Sequence, residues 1–119
     1  MFYNGDIALK ISFKTTKLQK IFNSEKELKR VFGQQQAVKI MLRMGVLVAA
    51  NNLNDISTNS PENRHELHGD RSGQFAVDLK QPYRLIFEPA HDPLPIKEDK
   101  GLDLEKITEI IILEVEDYH

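Results

Sequence analysis

Residues 74–87 read Gln-Phe-Ala-Val-Asp-Leu-Lys-Gln-Pro-Tyr-Arg-Leu-Ile-Phe. Gln74 to Leu79 is a strand-length run, Gln81-Pro82 is a turn signal, and Tyr83 to Phe87 is a second apolar run of strand length. So short a connection suits antiparallel neighbours. Upstream, Asn63 to His68 predicts another short strand, joined to Gln74 by the turn Gly69-Asp-Arg-Ser-Gly73. Downstream, residues 89–106 hold three prolines and many charges, which predicts a long irregular loop. Ile107 to Val115 then closes the chain as a strand, with Ile110, Ile112 and Leu113 as the inward candidates.

The first half of the chain has a different period. Ile7, Leu9, Ile11 and Phe13 alternate with smaller or polar residues, the pattern of a strand with one buried face. Thr15 or Thr16 caps a short helix carrying Leu18, Ile21 and Phe22. Ser24-Glu-Lys-Glu27 is a capping-box pattern opening a second helical segment with Leu28, Val31 and Phe32, and Gly33 ends it. From Gln34 to about Ala50, residues Ala37, Ile40, Met41, Met44, Leu47 and Val48 follow helical spacing, and Lys39 and Arg43 are assigned to the opposite face. A strand, then helices, then four strands predicts an α+β fold. The expected domain spans residues 1–119, with the N-terminal strand and helices packed on a mainly antiparallel sheet.

Composition bounds what such a domain does. Of 119 residues, 40% are apolar and 29% charged, enough for a real core and typical of a soluble protein. No apolar run approaches a membrane span. The N-terminus lacks the basic and apolar regions of a secretory signal, so a cytoplasmic protein is expected. With no cysteine, disulfides, thiolate metal sites and cysteine nucleophiles are excluded. No histidine pair has helical metal spacing, and no cofactor is expected. Residues 1–58 carry nine Lys and Arg against four acids, whereas residues 59–119 carry seven against fourteen. The basic half is suited to a polyanion.

Residues with chemical potential concentrate in Arg64-His-Glu-Leu-His-Gly-Asp-Arg-Ser-Gly73 and in the terminal Glu116-Asp-Tyr-His119, with Arg84 between them. Histidine exchanges protons near neutral pH, arginine presents a planar fork to phosphate, and tyrosine stacks on a base or donates a hydrogen bond. RNA cleavage without a metal needs such a set. A base deprotonates the 2′-hydroxyl, a cation stabilises the phosphorane, and an acid protonates the departing 5′-oxygen. His65 or Asp117 suits the base, Arg84 and Arg71 the cations, and His119 or Tyr118 the acid. Each has a structural alternative: Arg71 pairing with Asp70 or Glu66, Arg84 pairing with Glu88, His65 as a half-buried strand residue, His68 and Asp70 as turn formers. His91 reads as a surface residue.

Three stretches together resemble the RelE/ParE superfamily of toxins from type II toxin–antitoxin systems, in its HigB-like "killer protein" branch. They are the opening strand with Lys14-Thr-Thr-Lys-Leu-Gln-Lys-Ile-Phe22, the segment His65-Glu-Leu-His-Gly-Asp-Arg-Ser-Gly-Gln-Phe75 with Tyr83-Arg-Leu-Ile-Phe87, and Glu116-Asp-Tyr-His119. The resemblance runs from about Ile7 to His119 and implies a RelE-like fold. It also implies a ribosome-dependent mRNA endonuclease that inhibits translation, held in check by a helix-turn-helix, HigA-like antitoxin. It implies catalytic roles for His65, Arg84, Asp117, Tyr118 and His119, with Arg71 and His68 at the RNA. Lys14, Lys17, Lys20, Lys39 and Arg43 are expected to form a basic face for rRNA backbone.

This chain departs from the family at His68, where lysine is common. It departs again in the long loop: residues 89–119 carry three basic residues against nine acids. The alternatives are a gyrase-inhibiting ParE-type toxin, whose branch lacks this histidine and Asp-Tyr-His set, and a catalytically weak protein-binding module.

Overall fold

The computed structural model describes residues 8–117. Its elements are β1 (Lys10–Phe13), α1 (Thr16–Phe22), α2 (Glu25–Phe32), α3 (Gln34–Ala49), β2 (His65–Glu66), β3 (Phe75–Asp78), β4 (Tyr83–Pro89) and β5 (Glu109–Asp117). The expected α+β architecture is present: the five strands make one sheet in the order β1-β5-β4-β3-β2. Among the described residues, no helix is long and apolar enough to cross a membrane.

The helices start where side chains satisfy their first amides. Thr15 accepts a hydrogen bond from the Leu18 amide at 3.0 Å, and Ser24 from the Glu27 amide at 3.1 Å. The reciprocal half of the Ser24 capping box is replaced: the Glu27 carboxylate turns to the Arg30 guanidinium, 2.7 Å away. That contact holds the Glu27 carboxyl below the usual carboxylate range. Gly33 ends α2 and begins α3.

The sheet is antiparallel from β2 through β5, with short connections between β2, β3 and β4, but β1 pairs parallel to β5, with Ile11 opposite Ile110. The first strand is also shorter than Ile7–Phe13; Ile7 lies outside the described residues. The last strand is shifted toward the C-terminus relative to Ile107–Val115, because residues 104–106 form a 3₁₀ turn.

One principal core lies between the helices and one sheet face, around Phe22, Leu28, Ile40, Met44, Phe75, Leu85, Phe87, Ile110 and Ile112. Phe75 stacks on Phe87 with ring centroids 6.0 Å apart, and Phe13 meets Phe22 at 5.4 Å. The other sheet face has only a small apolar patch of Leu67, Ala76 and Ile86, with Leu113 beside it. Leu113 is therefore not part of the main core. Leu113 alternates with buried Ile112, and the β4–β5 register shift between Ile86 and Phe87 leaves Leu113 and Glu114 both on this side.

Arg43 overturns an expectation. It is only 6% exposed, and its Nε donates to the Asp78 carbonyl at 2.6 Å. Four residues advance about 40° around a helix, enough to move Arg43 from the side of exposed Lys39 to the buried side of Ile40, Met44 and Leu47. Gln36 works beside it: its amide donates to the Lys80 carbonyl and accepts from the Lys80 amide. Together they bind α3 to the β3–β4 turn.

The loop of residues 90–108 is more ordered in pattern than expected. Ile96 bridges Leu102, and the Lys97 amide donates to the Gly101 carbonyl. His91 is not a bare surface residue: its Nε2 accepts the Thr108 amide at 3.0 Å and ties the loop's two ends. The loop leaves β4 at Pro89 and rejoins at Glu109, the end of β5 opposite to Glu116.

Candidate active site

The register assigns the chemistry to faces, because directly paired residues project to the same side of a sheet. His65, Ala76, Ile86 and Glu114 form one row across β2, β3, β4 and β5. Asp78, Arg84 and Glu116 form the next row on that side, two residues along. Both rows stand on the open face, away from the helices. Strand spacing sets His65 about 10 Å across and about 7 Å along from Arg84, Cα to Cα, within reach of one extended substrate.

Arg71 reaches the same face from above. It sits in the 3₁₀ turn Gly69–Arg71; Gly69 (φ 67°), its first residue, and Gly73 (φ 89°), just beyond it, adopt the left-handed conformation that side chains disfavour. The turn brings Arg71 over β5. There its Nε donates to the Gln74 side-chain oxygen Oε1 at 2.9 Å, one terminal nitrogen to Glu116 at 2.8 Å and the other to Glu114 at 2.8 Å. The second Glu116 oxygen accepts from Arg84 Nε at 2.9 Å and from its terminal nitrogen at 2.7 Å. Neither Asp70, Glu66 nor Glu88 supplies these pairs. Hydrogen bonding to Glu114 raises the Arg71 pKa further, against partial burial, with the charges of Glu116, Glu114 and Asp70 adding to it. Two guanidiniums and two carboxylates thus form one compact cluster with no net charge.

His65 is exposed, not half-buried, and a backbone carbonyl orients it. Its Nδ1 lies 2.8 Å from the Asn63 carbonyl oxygen. A carbonyl only accepts, so Nδ1 carries a proton, and Nε2 is the nitrogen left for proton exchange. Asn63 itself takes a positive φ of 48° and donates its amide to Asp78 at 2.8 Å, which fixes the carbonyl that holds His65. Arg64 anchors the same segment by donating to the Ile56 carbonyl, and burial lowers its pKa.

The remaining candidates divide. Asp117 pairs with Tyr83 and so falls on the helix side of β5, opposite to Arg84 and Glu116. The strand register therefore does not group its carboxylate with the guanidiniums. Tyr118 and His119 lie outside the described residues. His68 is exposed and contributes its carbonyl to the Arg71 amide.

Lys14, Lys17, Lys20 and Lys39 are all exposed. Lys17 and Lys20 line one shallow groove with Arg30, whereas Lys39 lines another with Lys80 and Val38. Arg43, buried, is removed from the expected basic face. A groove of about 350 Å³ between the α2–α3 junction and the β3–β4 turn is lined by Phe32, Gln36, Lys80 and Tyr83, among others, and not by Arg71 or His65. Among the described residues, no group of three His, Asp or Glu side chains gathers as a metal site.

Glu114 and Glu116 were the residues that sequence reasoning missed. Plain alternation from Ile110 and Ile112 assigns both to the core side; the register shift between β4 and β5 turns them to the open face, and no local pattern in the sequence records it. Compared with models of known protein families and with curated proteins, the sequence matches none.

Proposed function

We propose that the chain is the toxin of a type II toxin–antitoxin pair, a RelE-like endoribonuclease of the HigB branch that cuts mRNA on the ribosome. The observation that carries this reading is the shared open face: an exposed histidine held through Nδ1 by a backbone carbonyl, and two arginines held together two residues further along the sheet. His65 Nε2 takes the proton of a 2′-hydroxyl, whose oxygen then attacks the adjacent phosphorus. Arg71 and Arg84 meet the charge that accumulates on the phosphorane oxygens. Tyr118 or His119, following β5, protonates the 5′-oxygen that leaves. The products are a 2′,3′-cyclic phosphate and a 5′-hydroxyl. Lys14, Lys17, Lys20 and Lys39 contact ribosomal backbone, and a helix-turn-helix antitoxin is the expected inhibitor.

The experiment is addition of the protein to a translating extract, with mapping of transcript ends. Translation-dependent cuts bearing cyclic phosphate ends support the reading. Intact transcripts with inhibited gyrase supercoiling would replace it with the ParE-type reading. One observation favours a second reading, a catalytically weak binding module: Glu114 and Glu116 neutralise both guanidiniums. Absence of any effect in either assay, with antitoxin binding retained, is its signature.

A further inference from the structure

The two carboxylates on Arg71 are not equivalent. Glu116 uses both oxygens, accepts from Arg71 once and from Arg84 twice, stands directly opposite Arg84 in the register, and is 22% exposed. Glu114 makes one contact, to the far terminal nitrogen of Arg71, stands opposite apolar Ile86, and is 48% exposed. Arg71 is meanwhile fixed from two other sides, by Gln74 on Nε and by Glu116. Without Glu114, the same guanidinium nitrogen would still be aimed at the same point.

We propose that Glu114 is a built-in competitor for a phosphodiester oxygen: RNA enters by displacing this carboxylate from Arg71, while Glu116 stays and holds the two guanidiniums as a unit. The inference rests on the reading that Arg71 meets RNA phosphate, and it adds how that site is kept occupied until substrate arrives. The chemistry matches, since a phosphate oxygen accepts from a guanidinium with the same geometry as a carboxylate oxygen. The energetics match as well. An ion pair with an exposed partner contributes little, so exchange is inexpensive. A fixed bridge and a loose competitor also explain why two carboxylates on one site do not abolish it.

The test uses the whole protein and a non-cleavable 2′-O-methyl RNA oligonucleotide, with binding followed by fluorescence anisotropy at fixed salt. Glu114→Gln tightens binding by roughly two- to fivefold, the range set by an exposed pair. The gain vanishes when Arg71→Ala is added, because the competition acts through that side chain. Glu116→Gln removes the same charge but also the bridge, and gives no gain. Unchanged or weaker binding by Glu114→Gln overturns the proposal, as does a gain that persists without Arg71 or appears equally in Glu116→Gln. If the wild-type protein cuts no RNA but the Arg71-dependent gain is present, the nuclease reading falls and the competitor stands. If it cuts RNA and the gain is absent, only the competitor falls.

Discussion

On the helix side of the sheet, Phe75, Val77, Leu85, Phe87, Ile110 and Ile112 are buried against α3 and its neighbours, dry and apolar. On the open side, Arg84, Glu114, Glu116 and His65 stand around the small patch of Leu67, Ala76 and Ile86. Alternation along β3 and β4 supplies both sets, and on β5 the register shift turns Glu114 and Glu116 to the face opposite Ile110 and Ile112. The first face derives its stability from removing carbon from water, which tolerates no charge without a partner. The second holds charges near water, where pairs exchange at low cost. A substitution on one face is therefore expected to change stability, and on the other to change chemistry.

The largest expected effect breaks the helix side. Phe87→Ala removes the ring stacked on Phe75 and leaves a cavity, with an expected loss of about 3–5 kcal/mol in denaturant unfolding. A loss under about 1 kcal/mol would mean that this face is not the core. On the open side, Arg84→Ala is expected to lower cleavage by roughly 10²–10³-fold, the usual contribution of one transition-state donor. Its melting temperature is expected to fall by no more than a few degrees, because Glu116 keeps Arg71 as a partner. Unfolding of Arg84→Ala would make the cluster structural.

Arg43 sharpens the comparison, since it is a charge on the dry side. Arg43→Ala leaves the half-buried Asp78 carbonyl without its side-chain donor, and is expected to cost about 1–3 kcal/mol while RNA and ribosome binding stay unchanged. Weakened ribosome binding by a folded Arg43→Ala protein would restore it to the basic face. The smallest of these effects is local. Ser24→Ala removes the α2 cap, with an expected cost of about 1 kcal/mol in the same unfolding assay.

Much of the fold was legible because its signals are local. The caps at Thr15 and Ser24 follow from which side chains reach the first amides of a helix. The β3–β4 turn follows from Gln81-Pro82 between two short apolar runs. Parallel pairing of β1 with β5 was not legible, since no local pattern records which distant strand lies alongside. Arg43 was misread because 40° of helix rotation separates it from Lys39, and periodicity alone leaves the edge of a buried stripe undefined.

The site divides in the same way. His65, Arg71 and Arg84 were singled out by residue type, and the register sets all three at one face. Their partners were not singled out, because Arg71 is 43 and 45 residues from Glu114 and Glu116, and only the β4–β5 register brings them together. That same register pairs Asp117 with Tyr83, on the side of β5 opposite to Glu116.

The most direct measurement pairs melting with cleavage for His65→Ala. The side chain is exposed and its one described contact is to the Asn63 carbonyl, so its removal leaves the core intact. The expected result is a melting temperature equal to wild type and translation-dependent cleavage reduced by about 10²–10⁴-fold, the range for a general base. Wild-type cleavage by the folded His65→Ala protein would contradict the assignment of the open face as a ribonuclease site.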